Sequence, residues 1–193
     1  MRTGVLSSQP TNDNRERWVT SLDYALLIGK GQRFLNKGRA LDLVLGGWHV
    51  GGVVTFRSGF PFSPEMGYDP SNTGSQGLMR TDRTGSGNLT HRSPSLWFNT
   101  NDFPVPTGYC FGDSGKNVLV GTGEKAAEVS AGKFFSINER VRLEFRGEFF
   151  NAFNHAVFSR PDPFITDRPG AAGVITSTVI PQPQVQFAMK LQF

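Results

Sequence analysis

Apolar and polar residues alternate most regularly in two segments near the C-terminal end of the chain. In residues 140–150, the odd positions from Val141 to Phe149 are apolar or glycine, and the even positions from 140 to 148 are arginine or glutamate. In residues 185–193, every second residue is apolar. Successive side chains of a strand point to opposite faces, so each segment predicts a β-strand with one apolar face. The apolar residues of the second segment are Val185, Phe187, Met189, Leu191 and Phe193.

Three earlier segments show a weaker form of the same alternation. They predict further strands at about residues 17–28, 47–58 and 125–135. Each of the five predicted strands is close to the roughly 9–11 residues that a tilted strand needs to cross a bilayer. The pattern therefore predicts an all-β fold of antiparallel strands.

The connections between these strands are of two kinds. Residues 136–139 form a tight turn and residues 29–46 a moderate connection, whereas residues 59–124 and 151–184 are long and rich in Gly, Pro, Asn, Ser and Thr. A compact soluble domain rarely contains an irregular loop of such length. Outer-membrane barrels combine short periplasmic turns with long extracellular loops. We therefore expect part of a transmembrane outer-membrane β-barrel, with residues 59–124 and 151–184 as irregular extracellular loops.

The charged side of residues 140–150 indicates which face meets lipid. An arginine facing the middle of a membrane costs roughly 2–4 kcal/mol, so this side is expected to face a water-filled lumen. The apolar side then contacts lipid, and aromatic residues near the strand ends fit the two interfacial girdles of a barrel. The girdle candidates are Trp18, Trp48, Phe56, Phe60, Phe62, Phe149, Phe150 and Phe193.

Charge and composition exclude several other classes of function. The net charge is +4, but the basic residues are scattered, which does not favour a nucleic-acid partner. A single cysteine, Cys110, rules out an internal disulfide framework and a cysteine-based metal site. His49, His91 and His155 are too dispersed to predict a metal site, and none has the neighbours of a catalytic triad. We expect no enzyme activity, no catalytic residues and no cofactor.

No apolar run approaches the roughly 20 residues of a transmembrane helix, and the first 20 residues lack the apolar stretch of a signal peptide. Any crossing of the membrane must therefore use strands. An export signal is expected outside this chain.

Five stretches resemble, in the same order, the C-terminal part of TonB-dependent outer-membrane receptors. The resemblance is to the Oar-like type, whose members carry a carboxypeptidase-regulatory-like domain. The stretches are LGGWHVGGVVTFRSGFPFSP (45–64), WFNTNDF (97–103), FGDSGKNVLVGTG (111–123), RVRLEFRGEFFNAFNHAVF (140–158) and VQFAMKLQF (185–193). Such receptors have an N-terminal plug, a short segment that contacts TonB and a 22-stranded barrel. The resemblance implies energy-coupled uptake of a bulky solute at the cell outer membrane of a Gram-negative bacterium.

Five strands are too few to close around a lumen. Residues 1–193 are therefore expected to be a C-terminal barrel fragment, with Met1 an internal methionine or the start of a fragment. The expected partners are outer-membrane lipid, the remainder of the barrel, the plug, TonB through the missing N-terminal part, and the barrel assembly machinery, which the resemblance links to the last strand and Phe193. Nothing in the residues indicates the transported substrate. The candidate ligand-stacking residues of the long loops are Tyr68, Trp97, Phe98 and Tyr109.

A different class of protein also fits the alternation: a secreted or surface β-sandwich that binds glycans or mediates adhesion. A sandwich buries its apolar face under a second sheet, whereas a barrel segment leaves that face uncovered by protein. The burial of Phe145 and Phe187 distinguishes the two.

Overall fold

The computed structural model describes residues 16–28, 33–34, 44–74, 79–138, 140–167 and 170–193. Its strands are β1 (Arg17–Ala25), β2 (Trp48–Arg57), β3 (Pro61–Phe62), β4 (Glu65–Met66), β5 (Met79–Arg80), β6 (Leu119–Val120), β7 (Glu124–Ser136), β8 (Arg142–Phe150) and β9 (Gln184–Gln192). A short 3-10 helix occupies Thr100–Asp102. Within the described ranges, no helix is long and apolar enough to span a bilayer.

The five long strands lie where the alternation predicts strands. Four of them differ from the expected bounds by no more than two residues at either end. The first ends at Ala25 rather than near residue 28, because its neighbour β2 begins only at Trp48. The last ladder bond there runs from the Leu26 amide to the Trp48 carbonyl, and Ile28 instead bridges to Phe34.

These strands form one antiparallel sheet in the order β1-β2-β7-β8-β9. The register pairs Gly147 of β8 with Ala131 of β7 on one side and with Phe187 of β9 on the other. The fold is all-β, and the described strands form an open sheet.

Antiparallel pairing places the connections at two ends of the sheet. Residues 58–123 and 151–183 both leave the sheet at one end, which we call the loop end. Residues 26–47 and 137–141 connect strands at the other end, which we call the turn end, and β9 finishes there. The long and short connections are thus sorted to opposite ends of the sheet.

The two faces of the sheet differ in chemistry along its whole width. On the apolar face, Phe145 stacks on Phe187 with ring centroids 5.8 Å apart, and Trp18 stacks on Phe56 at 5.4 Å. On the opposite face, which we call the polar face, Glu144 lies opposite Lys190. The split follows from the period of two in the sequence, since residues directly opposite each other on paired strands share a face.

Most of the apolar face is uncovered by the part of the chain that the structure describes. Phe187 is 66% exposed and Met189 is 73% exposed, although both lie near the middle of β9. Phe145 is only partly buried. A β-sandwich requires these side chains to lie inside a core, so the exposure contradicts the sandwich alternative.

A second compact unit is formed by the described residues of Arg57–Glu124 and Val157–Val179, together with Glu16 and Arg17. We call it the loop unit, and the remaining residues the sheet unit. The loop unit contains two small two-stranded sheets, β3 with β6 and β4 with β5. Its core consists of Phe62, Phe98, Phe103 and Leu119, with Trp97, Val118 and Ile165 packed against them. The expectation of irregular loops is therefore wrong in this respect: residues 59–124 contain short strands and an apolar core.

Candidate functional site

The polar face of the sheet unit carries charges of both signs. Its basic side chains are Arg142, Arg146 and Lys190, and its acidic side chains are Asp23, Glu128, Glu144 and Glu148. Arg146 Nε lies 3.0 Å from Glu148 Oε1 on the same strand. A shallow groove of about 110 Å³ is bordered by Glu128, Ser130, Arg146 and Glu148. A surface with such interspersed charges suits contact with water, and it has no strong preference for anions or cations.

A histidine and a glutamate meet across the polar face through a gap that a glycine provides. His49 Nε2 of β2 lies 3.8 Å from Glu144 Oε1 of β8, although β7 runs between these strands. The intervening residue is Gly132, where any side chain would collide with the His49 ring. The ring also stacks on Phe134 with centroids 4.9 Å apart, and its Nδ1 is buried without a hydrogen-bond partner among the described residues.

On the apolar face of the described strands, the only charged residues are Lys125 and Lys133, which lie near the two ends of β7. Lys133 lies opposite Phe145 and is almost completely buried. Its Nζ donates to the carbonyls of Val44 and Gly46, and it lies 5.4 Å from the centre of the Trp48 ring. A long cationic side chain whose head turns towards backbone carbonyls at the edge of an apolar surface is typical of membrane interfaces.

The predicted girdle residues separate into groups. Trp18, Trp48, Phe56 and Phe149 lie on the apolar face near its ends, as a girdle requires. The assignment of three other residues to a girdle is wrong. Phe62 belongs to the core of the loop unit, Phe60 lies in the loop unit under the Arg57 guanidinium, and Phe150 follows the polar positions of β8. Phe193 is 98% exposed at the turn end.

Two carboxyl groups of the loop unit have displaced pKa values. Hydrogen bonds from Ser71 and Thr73 lower the pKa of Asp69, whereas the pKa of Glu65 is raised. Burial raises the pKa of Glu65 above its ordinary value of 4.5, and the charge of Arg160 opposes this rise. Glu65 Oε2 is buried and has no hydrogen-bond partner in the described part of the chain. The environment therefore disfavours the charged form of this side chain.

The four candidate stacking residues have different surroundings. Phe98 is 1% exposed and belongs to the core, so its assignment is wrong. Trp97 is partly buried, with its Nε1 donating to the Val120 carbonyl and the Arg92 guanidinium over its ring. Tyr68 and Tyr109 are exposed, Tyr109 at 84%, and remain available to a ligand.

The cluster of His49, Gly132 and Glu144 was missed by the reasoning from sequence. All three residues stand at polar positions of predicted strands, but their proximity depends on the strand order, in which β7 lies between β2 and β8. The glycine in the middle of β7 was the available signal, because glycine inside a strand often marks a close approach.

The two-faced sheet, with uncovered apolar residues on one side and charges on the other, defines the class of membrane-spanning β-structure. A model of the outer membrane beta barrel domain family matches residues 7–186, and the chain therefore belongs to this family. It is a protein of the outer membrane. Comparisons with the curated proteins and with the solved structures find no match.

Proposed function

We propose that this chain supplies the C-terminal wall of a TonB-dependent transporter that takes up a bulky solute. The observation that carries the proposal is the two-faced sheet whose long connections all leave at the loop end. The resemblance of five segments to TonB-dependent receptors supports the finer assignment within the outer-membrane barrel family. The loop unit, with its own core, then forms an extracellular platform, while the polar face lines the path of the solute.

The remaining parts of such a transporter follow from the same proposal. The free edges of β1 and β9 pair with further barrel strands, because unpaired backbone groups are costly in lipid. A plug fills the lumen, and TonB acts through the plug. The barrel assembly machinery recognises the last strand and Phe193. The function is binding and transport, with no covalent chemistry.

A comparison of solute uptake tests the proposal. Bacteria that carry the complete gene, lack it, or lack TonB are grown in the same rich medium, and the remaining solutes are measured by mass spectrometry. We expect one class of large solute to remain in the medium of both deletion strains. If uptake requires the gene but continues without TonB, the protein is a passive channel, and the energy-coupled assignment is wrong.

A further inference from the structure

The segment WFNTNDF (97–103) divides its residues between two structural tasks. Its three aromatic residues build the core. Phe98 makes edge contacts with Phe62 and Phe103, with ring centroids 5.8 and 5.9 Å apart, and Trp97 packs against the same cluster. These contacts hold both ends of the segment in place.

The second task is to fix a tight turn between the aromatic residues. Asn99 Nδ2 donates to Asp102 Oδ1 at 2.9 Å, and the Gly87 amide donates to Asp102 Oδ2 at 2.8 Å. The backbone closes the 3-10 helix with a bond from the Phe103 amide to the Thr100 carbonyl. Asn99 and Asp102 are therefore occupied by the turn, and only the side chains of Thr100 and Asn101 have no structural task.

Those two side chains border a cleft of about 380 Å³ in the loop unit. Neither side chain has a hydrogen-bond partner within the described ranges. None of the residues that line the cleft is charged, and most are apolar. The apolar walls are formed by Leu96, Pro104, Ile165 and Ala172, with the fully buried Phe103 in the core beneath. The cleft thus combines apolar side chains with one free hydroxyl and one free amide, a combination that small-ligand sites share.

We propose that this cleft binds an apolar side chain of an uncharged peptide, with the peptide backbone on Asn101. This inference rests on the proposed function and names the class of solute, a peptide. A carboxamide donates and accepts at once, as a peptide group does, so the two pair without an unpaired atom. A sugar carries hydroxyl groups around its ring, and the two polar side chains of the cleft offer partners to only a few of them. The volume lies at the low end of the range for ligand pockets, roughly 300–1,000 Å³, so the cleft holds one part of a bulky solute.

Titration of the complete barrel that contains this chain, purified in detergent, with N-acetyl-leucyl-leucinamide tests this site directly by calorimetry. We expect saturable binding. Asn101→Ala and Thr100→Val should each weaken it by about five- to tenfold, the usual result of losing one hydrogen bond. Ala172→Leu, which fills the cleft, should abolish it. Thr90→Val is the matched control, because Thr90 is an exposed threonine of the same unit outside the cleft.

Three results would overturn the inference: no binding of the blocked peptide, equal weakening by Thr90→Val, or preferential binding of maltose. A variant that fails to fold is replaced by the other two, which alter the cleft independently. Binding to the purified barrel requires neither TonB nor uptake. If the uptake experiment fails, the binding test can still be carried out. If the peptide does not bind, the transport proposal still holds, with a solute other than a peptide.

Discussion

The sheet unit and the loop unit use apolar side chains in opposite ways. In the loop unit, Phe98 and its neighbours are removed from solvent in a small core. In the sheet unit, Phe187 and Met189 project from the sheet and remain largely exposed. Both regions come from one chain and contain similar residues, so the difference lies in the solvent that each region is built for.

The hydrophobic effect of water stabilises the core of the loop unit. In the sheet unit, the apolar side chains contact lipid hydrocarbon instead of a protein core. Burial of apolar surface stabilises a domain in water by roughly 25 cal/mol per Å². Side chains that face lipid gain little from packing on each other, since lipid is equally apolar. Substitutions should therefore affect the two units by different mechanisms.

The largest expected effect is in the loop unit. Phe98→Ala removes a fully buried ring and should destabilise this unit by about 3–5 kcal/mol, as large core truncations do. Limited proteolysis of cells that display the protein should show rapid cleavage in residues 57–124. Phe111→Ala is the control, because Phe111 is a 65% exposed ring of the same unit. Equal sensitivity of the two variants would contradict the assigned core.

A somewhat smaller effect is expected in the sheet unit. Phe187→Arg places a charge on the apolar face and should cost about 2–4 kcal/mol of folding free energy in a bilayer. Urea unfolding in phospholipid vesicles measures this cost.

The neighbouring position provides the matched control. Gln186 lies opposite Glu148 on the polar face, so Gln186→Arg introduces the same charge beside a carboxylate. It should leave stability nearly unchanged. If Gln186→Arg is the more damaging of the two, the assignment of the lipid-facing side is reversed.

The smallest effect is a dependence of the loop unit on pH. Because the pKa of Glu65 is raised on folding, the folded state binds more protons than the unfolded state between 4.5 and the raised pKa. The free energy of unfolding should fall as pH rises through this window and be constant above it. Glu65→Gln should remove the slope and make the unit more stable than the native chain at neutral pH.

A single-tryptophan protein isolates this effect. Replacement of Trp18 and Trp48 by Phe leaves Trp97, which lies in the loop unit, as the only tryptophan reporter. Its fluorescence in urea at several pH values gives the stability of that unit. A slope that persists in Glu65→Gln would assign the titration to another group.

The two units also differ in how far their structures are predictable from sequence. The sheet strands follow from the period of two, because each side chain has only two faces to occupy. The core of the loop unit joins Phe62, Phe98 and Leu119, which are far apart in the chain and belong to no periodic segment. Alternation contains no information on such contacts, so residues 59–124 appeared irregular.

Candidate sites show the same division. That charged side chains occupy the face opposite the apolar one was predictable from residues 140–150 alone. The approach of His49 to Glu144 was not, since it requires the strand order and the empty position at Gly132. Likewise, WFNTNDF stood out by its resemblance to a segment of TonB-dependent receptors, but only the hydrogen bonds of Asn99 and Asp102 reveal which two side chains stay unused.

The two lysines of β7 set a length scale. Lys125 and Lys133 are eight residues apart on one strand. At roughly 3.3 Å per residue that separation is about 26 Å, and a tilt of about 40° reduces it to about 20 Å along the membrane normal. The ammonium groups thus delimit a narrow hydrocarbon slab, which matches a bilayer thinner than average, as the bacterial outer membrane is. Hydrophobic mismatch in a thicker bilayer would draw one of these cations into the acyl chains.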